Sequence, residues 1–146
     1  MKKILIICGP TATGKTALAL KLAKQWNGEL ISADSRQVYK GLDALTGKDR
    51  SDDGAVWLYD VVEPGSEFSV AHFVRLARSV IVDIHKRKKL PIVVGGTGFY
   101  LTALTTAIDS LAVPPNPALR NAFHAASLES LQQELQRVSP DRWGRM

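Results

Sequence analysis

The chain has 146 residues, 45% of them hydrophobic, and its 19 Lys and Arg outnumber 14 Asp and Glu for a net charge of +5. That length suits one compact domain with a real core and is short for two full ones. With no run of about 18 apolar residues and no cleavable leader in MKKILIICGP, membrane and secreted classes are excluded and a cytoplasmic protein is expected. The positive balance is compatible with a polyanionic partner and equally with a solvated basic surface.

Residues 3–8 form a short continuous apolar run, the pattern of a strand buried on both faces, and the single Cys8 within it reads as a small buried side chain rather than a nucleophile. A glycine loop, GPTATGKT, then opens into a largely apolar helix over Thr16–Trp26, ended by Asn27-Gly28. Glu29–Ala33 reads as a second strand running into the polar stretch DSRQVY. From Tyr39 to Gly54 the composition predicts a loop with one turn of helix, and Val56–Val62 a third strand closed by Glu63-Pro64-Gly65.

Apolar residues from Val70 to Ile84 recur at three- and four-residue steps, predicting an amphipathic helix over Phe68–Lys86 with Ser69 as its N-cap. The cationic run His85–Lys89 falls at that helix's carboxyl end, where positive charge favours the dipole. Leu90–Val94 is a fourth strand, followed by Gly95-Gly96-Thr97-Gly98 and a helix from Phe99 to Ala107. Strands alternating with helices predict an α/β fold: a P-loop-like parallel sheet covered on both faces, with ligands at the strands' carboxyl ends. Val113-Pro114-Pro115-Asn116-Pro117 marks a boundary, giving a core domain over 1–113 and helices only over 114–146, the expected start of a helical insertion domain. There Leu128, Leu131, Leu135 and Val138 line one helical face, and Trp143 has no evident core to join.

GxxxxGK[ST] arises by chance in about one chain of this size in two hundred, and here it falls between a strand and a helix as its mechanism requires. Successive backbone N–H groups of the loop and the helix N-terminus would cradle phosphate oxygens, with Lys15 neutralising charge and Thr16 available to Mg2+. A nucleoside triphosphatase usually adds an apolar strand ending in aspartate. Asp60 comes nearest to that role, but Val61-Val62 continue the apolar run beyond it. Asp34 follows a strand beside the phosphate loop, where a carboxylate would assist a metal or accept a proton, or would simply cap the next turn. GGTG is a second glycine loop at a strand end or a tight turn, with Thr97 its one hydroxyl.

Taken in order, GPTATGKT, ISADSRQVYKGLD, TGKD, FSVAHF, LPIVVGGTGFYLTAL and PPNPALR resemble the tRNA dimethylallyltransferase family, the tRNA isopentenyltransferases, from Ile4 to about Arg120 and more loosely beyond. The resemblance implies transfer of a dimethylallyl group from dimethylallyl diphosphate to N6 of adenosine 37 in tRNAs reading codons that start with U. It implies that Gly9, Pro10, Thr11, Ala12, Thr13, Gly14, Lys15 and Thr16 hold the diphosphate, with Mg2+ at Thr16 and Thr11 lining the channel beside it. Asp34 matches the general base at N6, and Ser35, Arg36, Gln37, Thr97 and Arg120 match tRNA-contacting positions. The expected partners are the tRNA anticodon stem-loop and dimethylallyl diphosphate, with no membrane and a monomeric protein.

Family members are longer, continuing into an arginine-rich helix that returns to the core, so a C-terminally truncated chain with little transfer activity of its own is expected. They also commonly carry a His pair before the third strand, where this sequence has Ala55-Val56-Trp57-Leu58. The alternatives are an adenylate isopentenyltransferase, a small-molecule P-loop kinase, and a fragment that binds diphosphate or RNA without turnover.

Overall fold

The computed structural model describes residues 3–50 and 55–145. Strand β1 (Leu5–Cys8) passes through the glycine loop into α1 (Lys15–Trp26), and β2 (Gly28–Ser32) follows. A single helical turn, α2 (Asp43–Thr46), precedes β3 (Val56–Trp57), α3 (Val70–Lys86), β4 (Leu90–Gly95) and α4 (Gly98–Thr105). After a 3-10 turn at Asp109–Ala112 come α5 (Pro117–Ala125), α6 (Leu128–Val138) and α7 (Pro140–Trp143). The chain divides into two compact units, Met1–Leu111 and Ala112–Met146.

All strand pairs are parallel, in the order β1-β4-β2-β3. The period of two along each strand sends alternate side chains to opposite faces. Leu5, Ile7, Leu30, Ile92 and Val94 pack with Ala19 and Leu20 of α1 on one face. Ile6, Ile31 and Val93 pack on the other with Phe73, Val74, Ala77 and Ile84 of α3 and with Tyr100, Leu101, Ala103 and Leu104 of α4. There the Phe73 and Tyr100 rings stack at 4.3 Å between centroids. The sheet is thus covered on both faces, as its apolar strands require. Helix α3 begins as the sequence predicts: the Ser69 side chain accepts from the His72 backbone N–H, and His72 Nδ1 accepts in return from the Ser69 N–H at 3.1 Å.

Three expectations change. The first strand is only half-buried and Cys8 is exposed, because β1 pairs with β4 on one side and forms the sheet edge among the described residues. The third strand is two residues long: Leu58 and Asp60 adopt left-handed φ of 68° and 56°, which ends the ladder. Parallel pairing resumes at one bridge between Tyr39 and Val62. Trp143 is half-buried rather than unhoused. Residues 51–54, part of the loop expected before the third strand, lie outside the described residues.

The cationic run after α3 proves structural in large part. The His85 ring pairs through Nε2 with the Lys3 carbonyl at 2.9 Å, and Arg87 bonds Asp83 and Glu29. Lys89 and the Trp57 indole also reach Glu29, at 2.9 and 2.8 Å. Burial works to raise the Glu29 pKa, but hydrogen bonds from Arg87, Lys89 and Trp57 bring it down from 4.5 to about 2. In the second unit Asn116 and Ser127 cap α5 and α6, and Leu119, Phe123, Leu128 and Val138 remain exposed.

The carboxyl ends of β2 and β4 approach so closely that a Cβ on Gly95 would lie 2.2 Å from the Ala33 carbonyl oxygen, whereas one on Gly96 would meet nothing nearer than Gly9 O at 3.5 Å. Gly95→Ala is therefore expected to destabilise the sheet by at least about 2 kcal/mol and Gly96→Ala by less than about 0.5 kcal/mol. Hydrogen exchange of the β4 amides in each variant measures the difference.

Candidate active site

Parallel register brings three strand ends together: Cys8 pairs with Gly95 and Ser32 with Val94. The loops that follow β1, β2 and β4 must therefore leave from one edge of the sheet. That edge is where open α/β sheets bind ligands.

The first loop is built for backbone donors. Gly9 and Gly14 have φ of 154° and 77°, and Ala12 joins them at 63°. Nothing lies within 4 Å of where a Gly14 Cβ would stand, so conformation rather than space calls for glycine there. Thr11, Ala12, Thr13 and Gly14 are exposed, while Lys15 and Thr16 are half-buried in the first turn of α1. The Pro10 carbonyl accepts from Thr13 Oγ1 at 2.8 Å and from the Lys15 ammonium. Lys15 thus lies folded over the loop it would otherwise reach across. The first turn of α1 carries no acidic residue, and no side chain caps its N-terminus. The arrangement favours an anion at the helix end.

The second loop begins at Asp34. Its Oδ1 accepts from the Arg36 backbone N–H at 2.8 Å, the turn-capping role open to an aspartate at this position, and the residue is half-buried. Thr97 ties this loop to the third one: its Oγ1 accepts from the Ser35 N–H at 3.0 Å, and its own N–H bonds the Ala33 carbonyl at 3.2 Å. Ser35 and Arg36 are exposed. Gln37 turns inward, accepting from Ser32 Oγ at 2.7 Å and donating to the Thr46 and Gly47 carbonyls. Arg120 belongs to the second unit, on α5, where it helps line an open groove of about 690 Å3 with Val113, Leu119, Phe123 and Leu131.

Two phenols near Asp34 were not read from the sequence. Burial pushes Tyr59 and Tyr100 up, and the Asp34 carboxylate adds a smaller rise in each, behind the charge on Asp49 for Tyr59 and behind Tyr39 for Tyr100. Tyr100 sits two residues after GGTG, a signal too common to have pointed at it. Asp60, the sequence's nearest match to a metal-holding aspartate, instead pairs with Lys48 at 2.7 Å and with Arg50. Among the described residues no three His, Cys, Asp or Glu side chains cluster as a metal site, and no helix is long and apolar enough to cross a membrane.

The IPP transferase family model matches residues 37–146, and a second, for isopentenyl transferase, matches residues 2–55. The chain belongs to the IPP transferase family. Family relatives include a tRNA dimethylallyltransferase of Anoxybacillus flavithermus, 44% identical over 95% of this chain and 46% of its own length. The tRNA dimethylallyltransferase 2 of Syntrophotalea carbinolica is 45% identical over 95% of this chain and 47% of its own. A crystal structure of the tRNA isopentenylpyrophosphate transferase of Bacillus halodurans matches all of this chain and 50% of its own at 36% identity and a TM-score of 0.73. A eukaryotic dimethylallyltransferase acting on tRNA matches at 30% identity and a TM-score of 0.87, over 38% of its own chain. The chain spans about half the length of the curated relatives it matches.

Within this IPP transferase fold, the Thr97 side chain is the tie between the Asp34 loop and the glycine turn after β4. Thr97→Val keeps the shape and removes the acceptor, so the Ser35 amide should exchange at least about fivefold faster, the loss of roughly 1 kcal/mol expected for one hydrogen bond. Amide hydrogen exchange at Ser35, with the β4 amides as internal control, measures it.

Proposed function

We propose that this chain carries the reacting centre of a tRNA dimethylallyltransferase, transferring a dimethylallyl group from dimethylallyl diphosphate to N6 of adenosine 37 in tRNAs that read codons starting with U. The observation that carries the reading is the Ser35–Thr97 tie: it holds the one carboxylate that opens the DSRQVY loop at the same sheet edge as a phosphate-type glycine loop. Such a transfer has two needs. Charge must be neutralised on the departing diphosphate, and a proton must leave a weakly nucleophilic amine.

On this reading the backbone from Gly9 to Thr16 cradles the diphosphate, Lys15 swings from the Pro10 carbonyl onto it, and Thr11 lines the channel beside it. The N6–C1 bond forms as the C1–O bond to diphosphate breaks. Asp34 takes the N6 proton through the carboxylate whose Oδ1 is steadied by the Arg36 N–H, leaving Oδ2 for the amine. Ser35, Arg36, Gln37 and Thr97 support the RNA on the core, and Arg120 does so from residues 114–146, the beginning of a helical tRNA-binding domain attached to a core of 1–113. The adenine must leave its stack to reach this edge, as bases do in other modifying enzymes.

Mg2+ fits the donor set. A hard cation that keeps waters and takes phosphate oxygens needs few protein ligands, and the Thr16 hydroxyl at the loop's end is of the right kind. Bound there, Mg2+ would add positive charge against the leaving diphosphate. A phosphate-transferring kinase is less well supported, since Asp60 is committed to Lys48 and Arg50.

Single-turnover incubation with Mg2+, labelled dimethylallyl diphosphate and either tRNA or AMP, with protein in excess so that slow transfer registers, tests the reading. Label should appear in tRNA. Asp34→Asn should abolish it while leaving diphosphate affinity within about twofold, and Lys15→Ala should weaken that affinity at least about tenfold. Label in AMP alone, or phosphate transfer from ATP, would contradict the assignment.

A further inference from the structure

Beside the DSRQVY stretch, the described residues hold a dense set of charges that the proposed reaction does not use. Asp43 lies on α2, Lys48 and Arg50 follow that turn, and Asp60 occupies the left-handed turn after β3. The Lys48 side chain has no solvent exposure. Its three ammonium protons meet three acceptors: the Tyr39 carbonyl at 2.6 Å, Asp60 Oδ1 at 2.7 Å and Asp43 Oδ1 at 3.0 Å. Arg50 closes the other side, with Nε on Asp43 Oδ2 at 2.6 Å, and Nη2 on Asp43 Oδ1 at 2.9 Å and on Asp60 Oδ2. Two cations and two anions cancel. Burial works against charge on Lys48, yet hydrogen bonds to Asp60 and Asp43 outweigh it and hold the ammonium above its ordinary pKa.

Stability alone does not call for such a cluster: exposed pairs such as Arg50 with Asp43 contribute little, and an apolar replacement of a buried charge and its partner is often neutral or better. What the charges add is direction. Thr46 and Gly47 immediately precede Lys48, and their carbonyls receive the Gln37 amide at 3.0 and 3.2 Å. The Lys48 N–H bonds the Asp43 carbonyl at 3.3 Å, closing that turn. Tyr39, two residues after Gln37, gives its carbonyl to Lys48, and the Asp60 N–H reaches the Gln37 carbonyl at 3.3 Å. The cluster therefore grips the chain around Gln37 as well as the carbonyls that hold the Gln37 side chain.

We propose that Lys48 is a positioning residue of the active site: by binding Tyr39, Asp43 and Asp60 together it fixes the Thr46 and Gly47 carbonyls that hold Gln37, and through Gln37 it sets the path of the Asp34–Gln37 loop. The inference rests on the tRNA reading for what the loop serves, and not for how the loop is held.

Two measurements on the full 146-residue chain separate those parts. In proton–nitrogen correlation spectra, the Gln37 side-chain amide pair, assigned by its loss in Gln37→Ala, should stand apart from free amides in the wild type. It should collapse to the free position in Lys48→Met while the β4 amides stay dispersed. A Lys48 that merely adds stability would leave the pair in place, and that result overturns the proposal. Should Lys48→Met not fold, Asp60→Asn loosens the same grip more gently and should move the pair the same way; an unmoved pair overturns the proposal equally.

In the second measurement, anisotropy with an anticodon stem-loop RNA, Lys48→Met should weaken binding about tenfold with no further loss on adding Gln37→Ala. Pyrophosphate affinity should stay within about twofold, since the phosphate loop is untouched. Additive RNA losses would show that Lys48 does not act through Gln37. If the wild-type chain binds no stem-loop RNA, the acceptor reading falls and the amide pair alone decides how Gln37 is held.

Discussion

Everything at the candidate site depends on β4 lying between β1 and β2 with their carboxyl ends level. Cys8 opposite Gly95 and Val94 opposite Ser32 leave three loops no exit but the same edge. The closeness is bought with a side chain: Gly95 packs against the Ala33 carbonyl where no Cβ has room. Two hydrogen bonds then carry the strand pairing into the loops: the Thr97 N–H donates to the Ala33 carbonyl, and Thr97 Oγ1 accepts from the Ser35 N–H. Both faces of β4 are apolar, so what fixes its register is the close approach at Gly95: with Val94 shifted into that place, a side chain would stand where only glycine fits beside the Ala33 carbonyl.

Much of this was legible because local rules and global fold agree. Strand, glycine loop and helix follow each other within Leu5–Trp26 as the spacing of GPTATGKT demands, and Ser69 caps α3 where the apolar period begins. The misreadings have physical causes. Val56–Val62 has the composition of a strand, but Leu58 and Asp60 take left-handed conformations, which Asp adopts more readily than most residues but which nothing marks in Leu58. Burial of Cys8 followed from its apolar neighbours, whereas exposure follows from the position of β1 at the sheet edge, which is a matter of strand order. Asp34 was found by its place after a strand; Tyr59 and Tyr100 were not, because nearness to Asp34 is set by tertiary packing.

The charged residues divide into two kinds of use. Arg87, Lys89 and Glu29 fasten the end of α3 to β2, and Lys48, Arg50, Asp43 and Asp60 fasten the segment after DSRQVY. Among the described residues the Lys15 and Arg36 side chains pair with no carboxylate, and they stand in the two loops proposed to meet anions. A net charge of +5 is therefore a poor guide by itself, since part of the positive charge is already spent inside the fold. In the second unit the apolar face that the sequence places on α6 is only partly exposed: Leu128 and Val138 are exposed, while Leu131 and Leu135 are half-buried.

The central claim is that one site joins the phosphate-type loop to Asp34, and titration with dimethylallyl diphosphate and Mg2+ followed by NMR tests it most directly. The backbone amides of Gly9 and Thr11–Thr16 and the Asp34 carboxyl carbon should shift together with a single dissociation constant. Lys15→Ala should weaken both responses alike. Shifts in the glycine loop that leave Asp34 and Thr97 unmoved at saturation would contradict it.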